Sequence, residues 1–457
     1  MLTVPIAQLR QSVSDGQTRP LQWRLEQLNR LEAALKERAD AVLDALARDL
    51  GKPDVEAYYE LVAVQQELQL CRRRLRSWMR PRAVGVPLSL KPGRAEVMRE
   101  PLGCVLIIGP WNYPLSLCLQ PLVSALAAGN TAVLKPSEHA PATAALIAEL
   151  IAAAFPASTV QVVQGDGHAA AALLEERFDH IFFTGGERVG RLVMAAAARH
   201  LTPVTLELGG KSPAVVLEDA DLAVTARRLV WGKTLNAGQT CIAPDYLLVQ
   251  RSVAEPLFAL LRARFESCFG DTPLDSPDLG SIVNASQYAR LSALLEGARQ
   301  RGQLLHGGQC DAERRRIAPT LIRVDDLEDP LMQEELFGPL LPVLVIDDLD
   351  EAIQLIHRRA KPLALYLFSR DAKRQEHLLQ RTSSGGVCIN DVVLQVGVPD
   401  LPFGGVGASG MGAYHGEAGF DTFSHRRSVL RRPFRLDAPF RYPPYAGRLP
   451  LVRRLLG

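Results

Sequence analysis

The stretch "NAGQTCIAPDY", residues 236 to 246, sets Cys241 among small and polar neighbours with Pro244 close behind. A thiolate is a strong nucleophile, and it needs access and a polar surrounding that lowers its pKa, both of which this stretch can supply. The alternative is a buried, inert cysteine. Three other stretches bear on the choice. "GPWNYP", 109 to 114, follows the strand-like run "CVLII" and presents Asn112 at the carboxyl edge of a parallel sheet, where ligands bind and a side-chain amide can donate to an oxyanion. Asparagine beside proline also simply shapes turns. "LELGGKSP", 206 to 213, places Glu207 inside an apolar strand ahead of two glycines that let a ligand approach the backbone. A carboxylate so placed has a raised pKa and can act as a general base, unless it pairs with Lys211. "FFTGGERVG", 182 to 190, runs from a strand through glycines into a helix and offers N–H groups and a helix dipole to a phosphate. It lacks the GxGxxG spacing and also reads as a plain βα turn.

These residues need elements to hold them. Leu21, Leu25, Leu28, Leu31, Leu35, Val42, Leu43 and Leu46 recur at three- and four-residue steps, which predicts one amphipathic helix over 21 to 50, stopped by "GKPD". A second helical pattern runs to about Met79, and "RPRAVGVPLSLKPGRAEV" reads as an extended excursion. Short apolar runs then alternate with helical segments: "CVLIIGP", "LCLQPLVSALAAG", "TAVLKPS", "ATAALIAELIAAAF", "VQVVQG", "HIFFTGG" and a helix over 188 to 198. A second alternation after "VTLELGGKSPAVVL" has helices near 221–235, 253–268, 286–301, 350–359 and 371–380. Alternation of this kind implies parallel sheets covered on both faces, hence an α/β protein of two units. After "GGVCIND" the pattern dissolves into glycine-rich loops.

With 457 residues the chain can form two or three compact units. A formal charge of +2 offers no broad attraction for nucleic acid. The seven cysteines lack paired spacing, which argues against a disulfide framework and points to a reducing compartment, by default the cytoplasm. No ligand-spaced group appears among the nine histidines, so no metal is expected. The N-terminus carries no signal pattern, and no apolar run approaches the ~20 residues of a membrane-spanning helix.

In order along the chain, "PWNYP", "KPSE", "FTGGERVG", "LELGGKSP", "GQTC", "EELFGP" and "PFGGVGASGMG" resemble the aldehyde dehydrogenase superfamily, from about Leu21 to Val429. The ending "HGEAGFDTFSHRRSV" with "YPPY" looks like its class 3 branch, which includes fatty and aromatic aldehyde dehydrogenases. The resemblance implies NAD(P)-dependent oxidation of an aldehyde to the acid, with Cys241 as nucleophile, Asn112 and the Cys241 N–H as oxyanion donors, and Glu207 as the base for deacylation. For the cofactor it implies Lys135 and Glu138 at the adenosine ribose, and Gly185, Gly186 and Gly190 around the pyrophosphate. Glu335 would lie at the nicotinamide ribose, with Phe337, Trp111 and Gly209 near the ring; NAD is expected, with NADP also accepted. Tyr113, Leu117 and Phe403 are expected to shape the substrate pocket. The implied fold is an atypical Rossmann NAD(P)-binding domain (1–80 and 100–207), an α/β catalytic domain (208–388), an oligomerisation element (81–99 and 389–430) and a basic tail (431–457), assembled as a homodimer.

Two rival readings are coenzyme A-acylating chemistry, disfavoured because such relatives generally lack the base that Glu207 matches, and a non-catalytic binding protein on the same fold. The tail from Arg426 has nine arginines against one acid, Asp437. Too short and too charged to span a bilayer, it either lies on an anionic membrane surface, with Leu449, Leu451, Leu455 and Leu456 dipping in, or, the favoured reading, packs on the partner subunit or over the substrate entrance.

Overall fold

Apolar residues at helical spacing bury one stripe of each N-terminal helix, and those stripes meet over the first sheet. The computed structural model describes residues 5–435, 437 and 439–456. The 21–50 pattern is two helices, Leu21–Glu37 and Ala39–Leu50, because Arg38 leaves helical geometry (φ −111°, ψ 20°). The stop at Gly51 takes a left-handed turn (φ 63°) that glycine adopts cheaply. Asp54–Trp78 forms the next helix, and the excursion contains strands Arg82–Val84 and Arg94–Pro101.

Six strands make the first sheet, in the order Gly410–Met411, Val204–Glu207, His180–Thr184, Cys104–Ile108, Thr131–Lys135 and Val160–Val162. All neighbours are parallel except the edge pair, where Gly410 lies opposite Glu207. From the central strand Cys104–Ile108 the chain moves out to one side through Thr131–Lys135, then returns to the other through His180–Thr184, which makes a topological switch point. Seven strands make the second sheet, in the order Leu304–His306, Thr320–Arg323, Leu340–Ile346, Tyr246–Gln250, Pro213–Val216, Ala364–Phe368 and Gly386–Ile389. Its covering helices are Leu222–Thr234, Ala254–Phe269, Ala285–Gln300, Leu349–His357 and Ala372–Arg381, each within two residues of the spans read from periodicity.

A third sheet joins Arg82–Val84, Arg94–Pro101 and Ser424–Arg431, all antiparallel. The eight-residue strand Ser424–Arg431 falls in the region where periodicity had faded. Beyond it, Leu449–Leu456 is a short helix whose Leu449 and Leu451 are exposed. The side chains of Leu455 and Leu456, and Gly457, lie outside the described residues. Among the described residues no helix is long and apolar enough to cross a membrane.

Candidate active site

The two large sheets face a cavity of about 930 Å³. Its wall includes Trp111, Asn112, Leu117, Gly185, Gly186, Glu207, Gly209, Cys241, Glu335, Phe337 and Phe403, so eleven of the residues singled out from sequence converge on one space. Four others do not line it. Tyr113 instead exchanges a hydrogen bond with Thr240 (Oη–Oγ1 2.7 Å) beneath the Lys52 ammonium, and so braces the residue before Cys241. Gly190 packs its helix on the neighbouring strand, since a Cβ there would come within 2.8 Å of Leu208. Lys135 and Glu138 pair with each other (3.2 Å) just past the carboxyl end of Thr131–Lys135.

Asn112 is buried in the turn after Cys104–Ile108, and a dense set of partners holds it. Its carbonyl oxygen accepts from Lys52 Nζ (2.8 Å) and Asn236 Nδ2 (2.8 Å), while its own Nδ2 donates to the Gln239 carbonyl (3.1 Å). Lys52 is ion-paired at 2.5 Å to Glu60, whose other oxygen accepts the N–H groups of Leu115 and Ser116 at the start of helix Ser116–Ala128. Sequence reading missed Lys52 and Glu60. Lys52 sat in a stretch legible only as a helix stop, and Glu60 looked like any acid on an amphipathic helix.

The approach to Cys241 is backbone in an uncommon state. Asn236 and Ala237 (both φ 52°) and Gly238 (φ 75°) are left-handed in succession, a cost of order 1–3 kcal/mol per non-glycine residue that tends to collect at functional sites. Cys241 does not have the lowered pKa expected from its polar neighbours. Burial, with the carboxylates of Glu335 and Glu207, pushes the thiol up, and the N–H groups of Cys241 and Ile242 only partly offset this. These surroundings favour the neutral thiol at Cys241.

Glu207 ends its strand 3% exposed, and neither carboxylate oxygen has a hydrogen-bond partner among the described residues. Desolvation alone raises its pKa well above the carboxylate range. It does not pair with Lys211, because Lys211 goes to Asp245 (2.5 Å) and to the Glu334 carbonyl. Near that pair, Glu335 is raised to about 8, by burial first and then by Asp245.

The 14-residue helix Glu187–His200 opens on the cavity at Gly186, where a Cβ would meet nothing within 4 Å. At Gly209, by contrast, a Cβ would meet Glu335 Oε2 at 2.0 Å, so the missing side chain leaves the Glu335 carboxyl its place against the floor. Trp111 and Phe337 meet edge to face (5.2 Å) at the same wall. An open helix N-terminus, a glycine floor beside a carboxylate, and two flanking aromatics fit a dinucleotide. No group of acids, histidines and cysteines among the described residues is arranged to hold a metal ion.

The match to the aldehyde dehydrogenase family runs from residue 6 to residue 429. The chain belongs to that family. Human aldehyde dehydrogenase family 3 member B1 is 48% identical over 447 residues, 97% of this chain and 94% of the human one. The rat protein named aldehyde dehydrogenase, dimeric NADP-preferring, is 45% identical over 97% of this chain and 98% of its own. A solved structure described as the substrate-bound state of Staphylococcus aureus AldH superposes with a TM-score of 0.95 at 42% identity, covering 99% of this chain and 98% of that one. This aldehyde dehydrogenase is therefore an NAD(P)-dependent enzyme acting on an aldehyde.

Proposed function

We propose that this aldehyde dehydrogenase makes the free carboxylic acid through a covalent thioester on Cys241. The observation that carries the reading is the meeting in one cavity of Cys241, Asn112 and a buried Glu207 whose carboxylate has no hydrogen-bond partner among the described residues. The Cys241 thiol releases its proton to solvent water as the sulfur attacks the aldehyde carbon, and the second N–H of Asn112 together with the Cys241 N–H stabilises the oxyanion, a contribution of roughly 10²-fold or more in rate. When bound, NAD(P)+ supplies the acceptor for the hydride that leaves the thiohemiacetal carbon. Lys135 and Glu138 would hold the adenosine ribose, Gly185, Gly186 and the helix N-terminus the pyrophosphate, and Glu335 the other ribose beside Phe337, Trp111 and Gly209. Glu207 then takes a proton from water as it attacks the thioester carbonyl, and Cys241 departs as the acid forms. Leu117 and Phe403 border the aldehyde.

Retention of Glu207 favours hydrolysis over transfer to coenzyme A. The test is turnover in coenzyme A-free buffer: one acid is expected per NADH, at a rate that added coenzyme A leaves unchanged. Dependence on coenzyme A would overturn the hydrolytic reading.

NAD is the proposed preferred cofactor. Glu138, partly exposed and paired with Lys135, would accept hydrogen bonds from unmodified ribose hydroxyls and repel a 2′-phosphate. The expected preference in kcat/KM is about tenfold, equivalent to ~1.4 kcal/mol, and Glu138→Gln should narrow it. Since the rat relative is named NADP-preferring, equal or better kcat/KM with NADP would refute this.

Homodimerisation completes the proposal. Strands Ser424–Arg431 and Gly386–Ile389 are both sheet edges, each hydrogen-bonded on one side only among the described residues. Edges of that length are sites where a second copy can extend the sheet, and the rat relative is named dimeric.

A further inference from the structure

The mechanism above leaves the buried hydroxyl of Tyr414 without a task. Tyr414 is fully buried, lines the cavity that holds Cys241 and Glu207, and its Oη has no hydrogen-bond partner among the described residues. A buried phenol normally finds one. Two further unpartnered groups border the same space: both carboxylate oxygens of Glu207, and Oγ1 of Thr184, which lies beside Glu207 in the parallel register. Polar atoms that line one cavity and lack protein partners among the described residues are candidates to hold a bound water, which takes about three partners.

The ring is placed rather than free to search. Backbone hydrogen bonds run both ways between Tyr414 and Phe403 (2.8 and 2.9 Å), and Phe182, Phe403 and His415 pack around the ring with centroids 5.1, 5.8 and 4.3 Å away. Burial keeps the phenol protonated, and Glu207 and Cys241 are the next contributors to its electrostatic surroundings. It therefore remains a hydrogen-bonding hydroxyl throughout the working pH range.

We propose that Tyr414 Oη and a Glu207 carboxylate oxygen together hold the hydrolytic water against the thioester on Cys241, with Thr184 Oγ1 as its third partner. The inference rests on the deacylating role of Glu207. One water proton passes to Glu207, the water oxygen bonds to the thioester carbon, the carbon–sulfur bond breaks, and the sulfur recovers the proton from Glu207. The phenol is unchanged throughout and serves to aim a lone pair of the water.

Tyr414→Phe keeps the ring and its packing and removes only the hydroxyl. Expected with saturating aldehyde and NAD is a burst of one NADH per site at the wild-type rate, followed by a steady state about tenfold slower, the size of one lost hydrogen bond to a reacting group. Mass spectrometry of the quenched steady state should show acyl-enzyme on Cys241. The burst amplitude also reports the folded fraction, so a poorly folded preparation cannot mimic the result. Wild-type steady-state turnover, or loss of the burst from folded enzyme, overturns the proposal. If Tyr414→Phe behaves as wild type while Glu207→Gln stalls after one turnover, Tyr414 alone fails; if neither accumulates acyl-enzyme, the role of Glu207 fails as well.

Discussion

Cys241→Ser is expected to lower aldehyde oxidation by about 10⁴-fold or more, the scale on which loss of a covalent nucleophile is felt, while NADH binding, followed by fluorescence, stays within about twofold of wild type. The surroundings make the contrast sharp. Burial and two carboxylates already push the thiol up, so its anion forms only with help from a proton acceptor. An alcohol starts several pKa units higher still, and the same low-dielectric, acid-flanked site would oppose its alkoxide more strongly. The sign for the wild-type thiol follows: a raised acid is neutral near pH 7, so the rate of the acylation burst should climb with rising pH. Substitution of sulfur by oxygen at an intermediate-burial position changes little packing. Near-normal turnover by the serine variant, or a burst rate that falls with pH, would remove Cys241 from the chemistry.

How the chain announces these residues depends on how local their signals are. Cys241, Asn112 and the glycines at 185, 186 and 209 sit in short stretches whose composition alone predicts a turn at a strand end, and the parallel alternation around them predicts that strand ends share one edge. The helices over the second sheet were legible because each buries one regular stripe. Long-range partners leave no such trace. Lys52 reaches across 60 positions to the Asn112 carbonyl, and Lys211 finds Asp245 rather than the nearer Glu207. Tyr414 gains its place from a backbone pairing with Phe403 and from the register of Gly410 opposite Glu207, neither of which a local pattern encodes. The strand Ser424–Arg431, expected only through the resemblance as part of the oligomerisation element, is silent in periodicity for another reason: six of its eight residues are exposed, so neither face carries an apolar alternation to read. The Cys241 pKa was misjudged because polar sequence neighbours do not determine which charges fold against a side chain.

Glu207→Gln separates the two halves of the reaction. The amide keeps the shape of the side chain and cannot take a proton, so the variant should form the thioester, release one NADH per active site, and then turn over about 10²–10⁴-fold more slowly than wild type, the range ascribed to a positioned general base. The pH profile supplies an independent reading. Burial raises the carboxyl pKa of Glu207, and only its ionised form accepts a proton. Deacylation in the wild type should therefore rise as pH increases through that elevated pKa, and the residual rate of the variant should lose this rise. Stability moves in the opposite sense. Because the folded state holds the proton more tightly than the unfolded chain does, the folded protein loses stability as pH rises above the ordinary carboxylate range. Glutamine has no such penalty, so the Tm of the variant at neutral pH should equal or exceed that of the wild type. A variant with an intact or higher Tm but no burst would show that Glu207 is required before the thioester forms, as acceptor of the Cys241 proton, and the division of labour proposed between the two residues would have to be redrawn.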